Sequence, residues 1–567
     1  MAFIVKKTIN QKDYYYLNEN NRIDGKVKTK TIAYLGKTKK EAGKKAKEII
    51  DKIKIDKMKK QDIKNKSEEK TEDNKNFQEV NLSNNLSIED MASFCKRKGF
   101  VYRSGDIYGG LAGFWDFGHL GVELKNNLKR EWWNFHVIKR EEIVGIDGSI
   151  ITNPRVWESS GHVASFVDLA VVCKRCENKT KIDKHEFGNV FCEKCGGEFE
   201  NKGEFNPMFT TNVGPIKEDS ILSYLRPETA QLIFTNFKFV YDNARLKLPF
   251  GIAQIGKAFR NELSPRDFLF RCREFEQMEL EYFVDPEEKC QYEIGDAKIL
   301  VYSAEMQEKK QEPIEMSFKE TLKKKIIITD WHAYWLEQEF LWFIGLDANP
   351  SKFRIRQHIK NEKSHYALDT WDLEYKFPFG WKELQGMANR TDFDLKQHQE
   401  HSKVNLEIIN KENKKILPHV VCEPSQGVER AFLVFMFDSY FYDDKRKNIV
   451  LKLHPKLAPV KAAVFPIVKQ SELENIAESI CKKLREEDWN IVYDKSGSIG
   501  RRYARNDEIG TPYCITIDGD SLKNEDVTIR DRDTTKQIRI KISELRNVLR
   551  MLINREVDFE KAGKLVQ

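Results

Sequence analysis

Two arginine-containing stretches, about 170 residues apart, could together bind a polyanion. The first, residues 258–283, reads AFRNELSPRDFLFRCREFEQMELEYF, and the second, residues 423–433, reads EPSQGVERAFL. Guanidinium groups hold phosphate oxygens through paired hydrogen bonds and stay charged at neutral pH. Phenylalanines stand among the charges of the first stretch, which suits a partly dry platform for a polyanion. A solvated antiparallel face with its charges toward water is the competing interpretation.

The elements that would position these arginines can be predicted from the pattern. The first stretch predicts two alternating strands joined by a proline-containing loop, which makes a hairpin with charge on one face. That face would carry Arg260, Glu262, Arg271, Arg273, Glu276 and Glu279. In the second stretch, Arg430 opens an apolar helix and could clamp a distal phosphate near the helix N-terminus.

The chemistry that suits this set is the activation of a carboxylic acid by a nucleotide. Such an enzyme must hold a triphosphate so that the α-phosphorus can be attacked in line, which arginines and magnesium achieve without a covalent intermediate. Glu383 in GWKELQG and Glu423 in EPSQG are carboxylates suited to magnesium held between phosphates. Each motif alone is common by chance, so the inference rests on their order and context.

Four cysteines form the strongest metal signal in the chain. They lie in CKRC at 173–176 and CEKC at 192–195, with fifteen residues between the pairs. Two Cys-x-x-Cys turns can complete a tetrahedral zinc site, and four thiolates leave no open position for a catalytic water. We therefore predict structural zinc at Cys173, Cys176, Cys192 and Cys195. A set of free thiols is the alternative.

Composition narrows the class of protein. At ~150 residues per domain, 567 residues predict about three or four domains, and no apolar run is long enough to cross a membrane. The N-terminus lacks the apolar stretch of a secretory signal, and ten cysteines in so long a chain do not make a disulfide scaffold. We therefore expect a cytoplasmic protein without a membrane partner. The net charge of +7, from 96 basic and 89 acidic residues, is too balanced to establish a nucleic-acid partner.

The N-terminal region differs from the rest of the chain. Residues 1–36 predict a small β module, in which an Asp24-Gly25 turn joins a strand at 14–17 to an alternating strand at 27–31. Residues 37–85 predict a basic helix that runs into a charged linker. The sequence leaves two roles open for this module, a solubilising appendage and an RNA-binding arm. A core domain is predicted to begin near Leu86, and a further αβ pattern near residue 458.

The motifs above, taken in order, resemble those of class II aminoacyl-tRNA synthetases. FRNE with FRCREF looks like motif 2 of that class, GVER before its apolar helix looks like motif 3, and GVELKNNLKREWW at 121–133 is similar to motif 1. Longer segments resemble homodimeric, bacterial-style glycyl-tRNA synthetases. These segments are SGDIYGGLAGFWDFGHLGVELKNNLK at 104–129, WESSGHV at 157–163, YLRPETAQLIF at 224–234 and DTWDLEYKFPFGWKELQGMANRTDFDLKQHQEHS at 369–402. The resemblance covers about residues 86–555.

The resemblance implies an α+β fold, in which an antiparallel-sheet catalytic domain at 86–457 precedes an α/β anticodon-binding domain at 458–567. The catalytic domain would contain a zinc-ribbon-like insertion at about 170–200 and a further insertion at about 285–365. The pattern of 458–567 itself predicts a buried strand, an amphipathic helix and further strands. Arg501, Arg502 and Arg505 could contact RNA there, although such runs are usually solvated surface.

Carried over residue by residue, the resemblance implies two sets of ligands in one site, with Arg260 and Arg430 as catalytic arginines and Phe275 stacked on adenine. The ATP-binding set is Arg260, Asn261, Glu262, Phe270, Arg271, Cys272, Arg273, Glu274, Phe275, Glu383, Leu384, Gly427, Val428, Glu429 and Arg430. The glycine-binding set is Lys181, Glu228, Phe275, Glu276, Gln277, Met278, Glu279, Glu423, Pro424, Ser425, Gln426 and Gly427. Carboxylates grouped tightly around an ammonium would both hold it and exclude a Cβ, which suits an amino acid without a side chain.

The implied reaction has two steps. The carboxylate of glycine attacks the α-phosphorus of ATP to give glycyl-adenylate and pyrophosphate, and a terminal ribose hydroxyl of tRNA-Gly then attacks the activated carbonyl. Mg²⁺ with ATP, held by Glu383 and Glu423, and a homodimer built on motif 1 follow from the same resemblance. We assign no general base, and we expect His162 to be structural.

Three positions depart from the family pattern. His119 and Leu232 replace a proline and a glycine, and Lys181 replaces an arginine near the substrate, which keeps the charge but loses the planar fork. The main arginines and carboxylates are intact. Two alternatives remain: a synthetase-like paralogue without aminoacylation activity, and an RNA-binding protein whose function lies in residues 1–85.

Overall fold

The computed structural model describes residues 2–9, 12–23, 26–36, 38, 45, 86–165, 168–182, 187–216, 218–362 and 367–566. The chain divides into two compact units, Met1–Asn81 and Leu82–Gln567. Across these described ranges, no helix has both the length and the apolar surface that a membrane span requires.

The N-terminal unit contains an antiparallel sheet of three strands in the order β1-β2-β3. These are β1 (Ala2–Ile9), β2 (Lys12–Ile23) and β3 (Lys26–Gly36). Ile23 pairs with Lys26, so a two-residue connection joins β2 to β3. The predicted turn residues 24–25 lie outside the described residues, as does nearly all of the predicted helix and linker at 37–85. Strand β1 was not predicted from the sequence.

The second unit begins with short helices alternating with short strands. Its elements as far as residue 225 are α1 (Ile88–Lys98), β4 (Val101–Arg103), β5 (Trp115–Phe117), α2 (His119–Trp133), β6 (Ile143–Ile146), β7 (Ile151–Thr152), α3 (Pro154–Ser159), α4 (His162–Ser165), β8 (Asp168–Cys173), β9 (Lys179–Ile182), β10 (Phe199–Phe205), β11 (Thr210–Val213) and β12 (Ile221–Leu225). Three small sheets form here, in the orders β4-β5, β10-β8-β9 and β11-β12-β7.

The middle of the chain supplies the long strands. Its elements are α5 (Ala230–Ala244), β13 (Phe250–Phe259), β14 (Glu274–Val284), β15 (Lys298–Tyr302), α6 (Ala304–Glu308), β16 (Ile314–Ser317), α7 (Phe318–Lys323), α8 (Asp330–Ile344), β17 (Phe353–Gln357), β18 (Asp369–Phe377), β19 (Gly380–Asn389), α9 (Phe393–Ser402), β20 (Ile408–Ile409), β21 (Lys415–Ile416), β22 (His419–Gly427), α10 (Val428–Ser439), β23 (Tyr440–Asp443) and β24 (Asn448–Leu451).

A nine-stranded sheet organises this region, in the order β16-β15-β17-β18-β19-β22-β14-β13-β6. Neighbouring strands are antiparallel except β13 with β6 and β15 with β17. One face packs on α10, which is apolar on nearly every side and is therefore buried. Residues 285–365, predicted as an insertion, contribute β15, β16 and β17, so this segment extends the main sheet.

The predicted charged face of the hairpin at 258–283 is wrong in two respects. Strand β13 ends at Phe259 and β14 begins at Glu274, so Arg260, Glu262, Arg271 and Arg273 lie in the connecting loop. A 3₁₀ turn at Phe268–Phe270, which buries Phe268 and Leu269, replaces the expected alternation. Glu276 and Glu279 do lie on β14, but three residues apart on a strand they face opposite sides.

The C-terminal part forms a second sheet, in the order β26-β25-β27-β28-β29-β30, with its own apolar core. Its elements are β25 (Ala462–Pro466), α11 (Ser471–Arg485), β26 (Ile491–Tyr493), α12 (Ile499–Ile509), β27 (Tyr513–Ile517), α13 (Gly519–Asn524), β28 (Asp526–Asp531), β29 (Gln537–Lys541), α14 (Leu545–Ile553) and β30 (Lys564–Val566). The predicted strand, helix and strand at the start of this region are confirmed as β25, α11 and β26.

Gly121 in α2 offers a direct test of how the second unit packs. A Cβ added there would lie 1.8 Å from the backbone oxygen of Phe100. We expect Gly121→Ala to destabilise the unit by about 1–3 kcal/mol, because the backbone must move. A Cβ added at Gly500 in α12 meets nothing within 4 Å, so Gly500→Ala should not lower stability. Thermal melts of both variants check this; equal midpoints would contradict the close approach of α2 to residue 100.

Candidate active site

A cavity of about 420 Å³ lies against the nine-stranded sheet, beside the first turn of α10. Its floor is formed by β14, β22, β19 and β18, and one wall is the loop 260–273. Both arginine-containing stretches line it, although they are far apart in sequence. Strands β14 and β22 are neighbours in the sheet, which brings the two stretches together.

The strand register places a row of polar side chains across the floor. Glu279 pairs with Ser425, Ser425 with Gly386, and Gly386 with Asp372. Residues directly opposite one another in a sheet share a face, so Glu279, Ser425 and Asp372 all point into the cavity. Gly386 leaves the space between them open.

At one end of the cavity two arginines stand over phenylalanine rings. The Arg260 guanidinium lies 5.4 Å from the centre of the Phe275 ring, and its Nε donates to the Pro227 carbonyl at 2.9 Å. The Arg430 guanidinium lies 4.6 Å from the Phe270 ring, and its Nη1 donates to the Glu383 carbonyl at 2.8 Å. Stacking on a ring and a backbone acceptor fix the position of each guanidinium, and both guanidinium groups line the cavity with a positive charge that suits an anion.

Glu383 is the carboxylate of this arginine end. Its Oε1 lies 3.1 Å from Nη1 of Arg430, and that positive charge is the main reason why the pKa of Glu383 is lowered. The carboxylate is half exposed. A Cβ on Gly386 would lie 3.8 Å from Asp372 Oδ1 and 4.0 Å from Glu383 Oε1, so these two oxygens face the same open space. Two hard oxygen donors beside a polyanion site fit a Mg²⁺ ion that accompanies a triphosphate.

Glu423 lies at the other end of the cavity, away from Glu383. Glu423 pairs with Ala388, five residues along β19 from Glu383, which separates the two by roughly 16 Å at 3.3 Å per residue. The sequence-based expectation that both carboxylates hold one magnesium ion is therefore at odds with the register. Asp372 is the second carboxylate near Glu383.

The end around Glu423 is a buried acidic cluster built on Arg390. Arg390 donates to both carboxylate oxygens of Asp394 at 2.7 and 2.9 Å and to Glu423 Oε1 at 2.8 Å. Glu279 is 1 % exposed and accepts a hydrogen bond from the Thr229 hydroxyl. Oxygens of Glu279, Glu281 and Glu423 lie within 4.8 Å of one another. Such a set can hold a cation, because the carboxylates outnumber the fixed positive charge.

Protonation differs among these carboxyl groups. Burial raises the pKa of Glu423 to about 8 against the pull of Arg390, and Glu279 and Glu228 raise it further. Burial also raises the pKa of Glu279, with the charge of Glu228 acting in the same direction. Burial would raise the pKa of Glu228 too, but His162, whose Nε2 lies 3.3 Å away, and Arg390 and Arg260 lower it overall. Of Glu228, Glu279 and Glu423, Glu228 is thus the one whose pKa is lowered and whose ionised form is favoured.

Many of the residues predicted as ligands line this cavity. They are Lys181, Glu228, Arg260, Glu262, Phe270, Arg271, Cys272, Phe275, Gln277, Glu279, Glu383, Leu384, Glu423, Ser425, Gly427, Glu429 and Arg430. Lys181 reaches the cavity from β9, where its Nζ lies 3.7 Å from Glu262 Oε2.

The remaining predicted ligands do not line the cavity. They are Asn261, Arg273, Glu274, Glu276, Met278, Pro424, Gln426 and Val428. Met278 and Val428 belong to the apolar core, because β14 and the start of α10 turn these side chains to the other face. Glu276 faces that side as well, where Lys125 and Lys129 bind it at 3.0 and 2.9 Å. Arg273 instead donates to the carbonyls of Glu262 and Ala112.

The structure adds lining residues that were not predicted from the sequence: Leu269, His358, Thr370, Asp372, Gly386, Met387 and Ala388. His358 Nε2 lies 2.9 Å from Asp372 Oδ2. Arg390 was also missed, although it does not line the cavity itself. The available signal for Asp372 was the alternation of acidic residues with Trp371, Leu373 and Tyr375 along β18, which predicts a polar face opposite the apolar one.

The four predicted metal-ligand cysteines also converge. Their sulfurs all lie within 4.8 Å of one another, with Cys173 3.4 Å from Cys195 and Cys176 3.6 Å from Cys192. Sulfurs bound to one zinc ion at ~2.3 Å stand about 3.8 Å apart in a tetrahedron. Gly196 has φ +67° in the second turn, and its N–H donates to the Cys192 carbonyl at 2.7 Å. The donor set and its geometry fit zinc.

In the C-terminal sheet, the three candidate RNA-contacting arginines are not equivalent. Arg502 is buried and donates to the carbonyls of Pro466 and Ile467, so it is a structural residue. Arg505 is exposed but donates to Asp494 and to the Ser496 carbonyl. Arg501 is exposed on α12.

Comparison with known families matches these two regions. Residues 216–439 match the tRNA synthetase class II core domain (G, H, P, S and T), and residues 461–552 match the anticodon binding domain. The sheet with its arginine-lined cavity is thus the core of a class II tRNA synthetase.

Individual relatives narrow the class. A glycine–tRNA ligase of Bifidobacterium longum is 41% identical over 486 residues, which cover 81% of this chain and 91% of the relative. Glycine–tRNA ligases of Thermobifida fusca and Borrelia hermsii are each 42% identical, over 490 and 476 residues, covering 82% of this chain and 97% of each relative. The chain belongs to the glycine–tRNA ligase family, which confirms the resemblance inferred from its motifs.

Proposed function

We propose that this protein is an ATP-dependent ligase that joins glycine to the 3′ end of tRNA-Gly, forming AMP and pyrophosphate. The observation that carries the proposal is the convergence of Arg260 and Arg430 with Glu228, Glu279 and Glu423 in one cavity. The arginine end suits the phosphates of ATP, and the acidic end suits the ammonium group of glycine.

In the activation step the chain acts by positioning and charge. Arg260 and Arg430 hold the triphosphate and neutralise charge that develops on the phosphates, while Phe275 stacks on adenine. Glu383, with Asp372 beside it, would hold Mg²⁺, which supplies a further positive charge between the phosphates when bound. Glu228, Glu279 and Ser425 orient the ammonium so that the glycine carboxylate meets the α-phosphorus.

In the transfer step a ribose hydroxyl of tRNA-Gly attacks the activated carbonyl. We propose the domain organisation that goes with it: a catalytic domain at 86–457, an anticodon-binding domain at 458–567, and an N-terminal module at 1–36 attached through 37–85. Of the three candidate arginines in the C-terminal domain, Arg501 and Arg505 are the two exposed ones, and we propose that they contact RNA. We also propose a cytoplasmic location, which the ten free cysteines support.

ATP–pyrophosphate exchange tests the proposed activation step without tRNA. We expect exchange with glycine and not with alanine or serine. Arg430→Ala and Arg260→Ala should each lower the rate about 10²–10³-fold, because each removes charge stabilisation in the transition state. Arg550→Ala is the matched control and should leave the rate unchanged, because the Arg550 side chain is exposed on α14 and does not line the cavity.

The same assay separates the alternatives. Stimulation by another amino acid, or none by glycine, would contradict the proposal and favour a paralogue without aminoacylation activity. Deletion of residues 1–85 should leave glycine-dependent exchange intact. If that deletion abolished it, the function would lie in the N-terminal module instead.

We propose that the four cysteines bind structural zinc in a zinc-ribbon-like insertion at about 170–200. The insertion touches the loop 260–273, because Lys181 approaches Glu262 and Glu193 lies 3.3 Å from Arg266. Elemental analysis should give one zinc per chain, and Cys176→Ser should lower the metal content and the melting temperature. Cys290→Ser is the control, because Cys290 lies outside the cluster. If the purified protein contains no metal and its melting temperature does not change in chelator, the zinc proposal is wrong.

We propose a homodimer built on β6, which ends the nine-stranded sheet. A cavity of about 370 Å³ beside β6 is lined by Val144 and Phe239, and Phe239 is 70 % exposed. Light scattering should give twice the chain mass of 66.5 kDa. Phe239→Glu should shift the protein toward monomer, whereas Ile314→Glu, on the opposite edge strand β16, should not. A monomeric wild-type protein at micromolar concentration would refute the dimer.

A further inference from the structure

Glu281 is a fully buried carboxyl group that the proposed mechanism does not use. It lies on β14, two residues beyond Glu279 and on the same face. Its exposure is 0 %, and neither carboxylate oxygen has a hydrogen-bond partner among the described residues. A buried ionised carboxylate without a partner is strongly disfavoured, so its chemical state needs an explanation.

The register places Glu281 directly opposite Glu423. Glu279 pairs with Ser425 and Tyr282 with Cys422, and the same register continued between these two pairs puts Glu281 opposite Glu423. Two ionised glutamates in that position repel each other. Their oxygens already lie within 4.8 Å, and the terminal torsion of a glutamate rotates freely enough to bring them into contact.

The groups around Glu281 explain why it would keep the proton. Glu279 accepts from the Thr229 hydroxyl, and Glu423 accepts from Arg390, which favours the ionised form of both. Glu281 accepts no hydrogen bond from a hydroxyl or a guanidinium group among the described residues. The charged groups that face it are Glu279 on β14, Glu423 on β22, Asp394 on α9 and Arg390 after β19. Three carboxylates face one guanidinium, so a fourth negative charge would be uncompensated.

We propose that Glu281 is a positioning residue for glycine: it is a neutral carboxylic acid whose O–H donates to Glu423, and this hydrogen bond, together with Arg390 and the incoming ammonium group, favours the ionised form of Glu423 against the cost of its burial. The inference rests on the proposed function, since it concerns the glycine end of the same cavity. Burial and the charge of Glu423 raise the pKa of Glu281, in line with this state.

The proposal distinguishes two glutamates that lie two residues apart on one strand face. Glutamine has the shape and the donor of a protonated glutamate but cannot ionise. Glu281→Gln should therefore keep the KM for glycine within about threefold of wild type, whereas Glu279→Gln, which removes a charge that contacts the ammonium, should raise it about tenfold or more. Glu281→Met, which has no donor, should also raise it about tenfold, with the KM for ATP unchanged.

Glycine- and ATP-dependent pyrophosphate exchange gives both KM values, and thermal melts show which variants fold. If Glu281→Gln raised the KM for glycine as far as Glu279→Gln, Glu281 would be ionised and the proposal would be overturned. A folded Glu281→Met with the wild-type KM would overturn it as well. If Glu281→Met does not fold, the contrast between Glu281→Gln and Glu279→Gln decides. Failure of the proposed function is a separate outcome, seen as no glycine-dependent exchange by the wild-type protein.

Discussion

The ion pairs of Arg390 are the interaction on which the acidic end of the cavity depends. Its guanidinium binds Asp394 through two hydrogen bonds and Glu423 through a third, with the side chain only 2 % exposed. A buried carboxylate is tolerated only when such a partner is present. Because Arg390 follows β19 and Asp394 lies on α9, the same contact also ties the sheet to the helix that closes this end.

The strand register places the polar side chains of this end next to one another, so that they form one binding site. Strands β14, β22 and β19 place Glu279, Ser425 and Gly386 side by side, with Glu423 two residues along. The positions of the arginines that would hold ATP do not depend on the pairing of strands. They stand on a loop and at a helix start, each braced by a phenylalanine and a carbonyl oxygen. The cavity thus has a sheet-built acidic end and a basic end built by the loop and helix.

The parts of this account that the sequence predicted were local ones. They are the Cys-x-x-Cys pairs, the apolar helix that begins around Arg430, and the strands and helix of residues 459–493. Each can be recognised from the spacing of residues that are close together in the sequence. The class and the family followed from the motifs. The strands of the hairpin at 258–283 were predicted to extend further toward the proline-containing loop than they do, because charges and phenylalanines alternate there. In the structure the connection spans 260–273, and Asp267 and Phe268 within it adopt positive φ values that extended strands do not have.

Long-range geometry could not be predicted from spacing. Glu383 and Glu423 looked like equivalent magnesium ligands, and only the pairing of β19 with β22 separates them. Asp372 and His358 meet across strands β17 and β18 and carry no motif of their own. The cross-strand pair of Glu281 with Glu423 likewise exists only in the folded sheet, since 142 positions separate the two along the chain.

A crystal structure with a non-hydrolysable glycyl-adenylate analogue would test the central claim most directly. The account predicts the amino group within about 3.2 Å of oxygens of Glu228, Glu279 or Glu423. The phosphate mimic should lie beside Arg260, and the adenine should lie on Phe275. An analogue bound in the reverse direction, or outside the cavity floored by β14, β22 and β19, would contradict it.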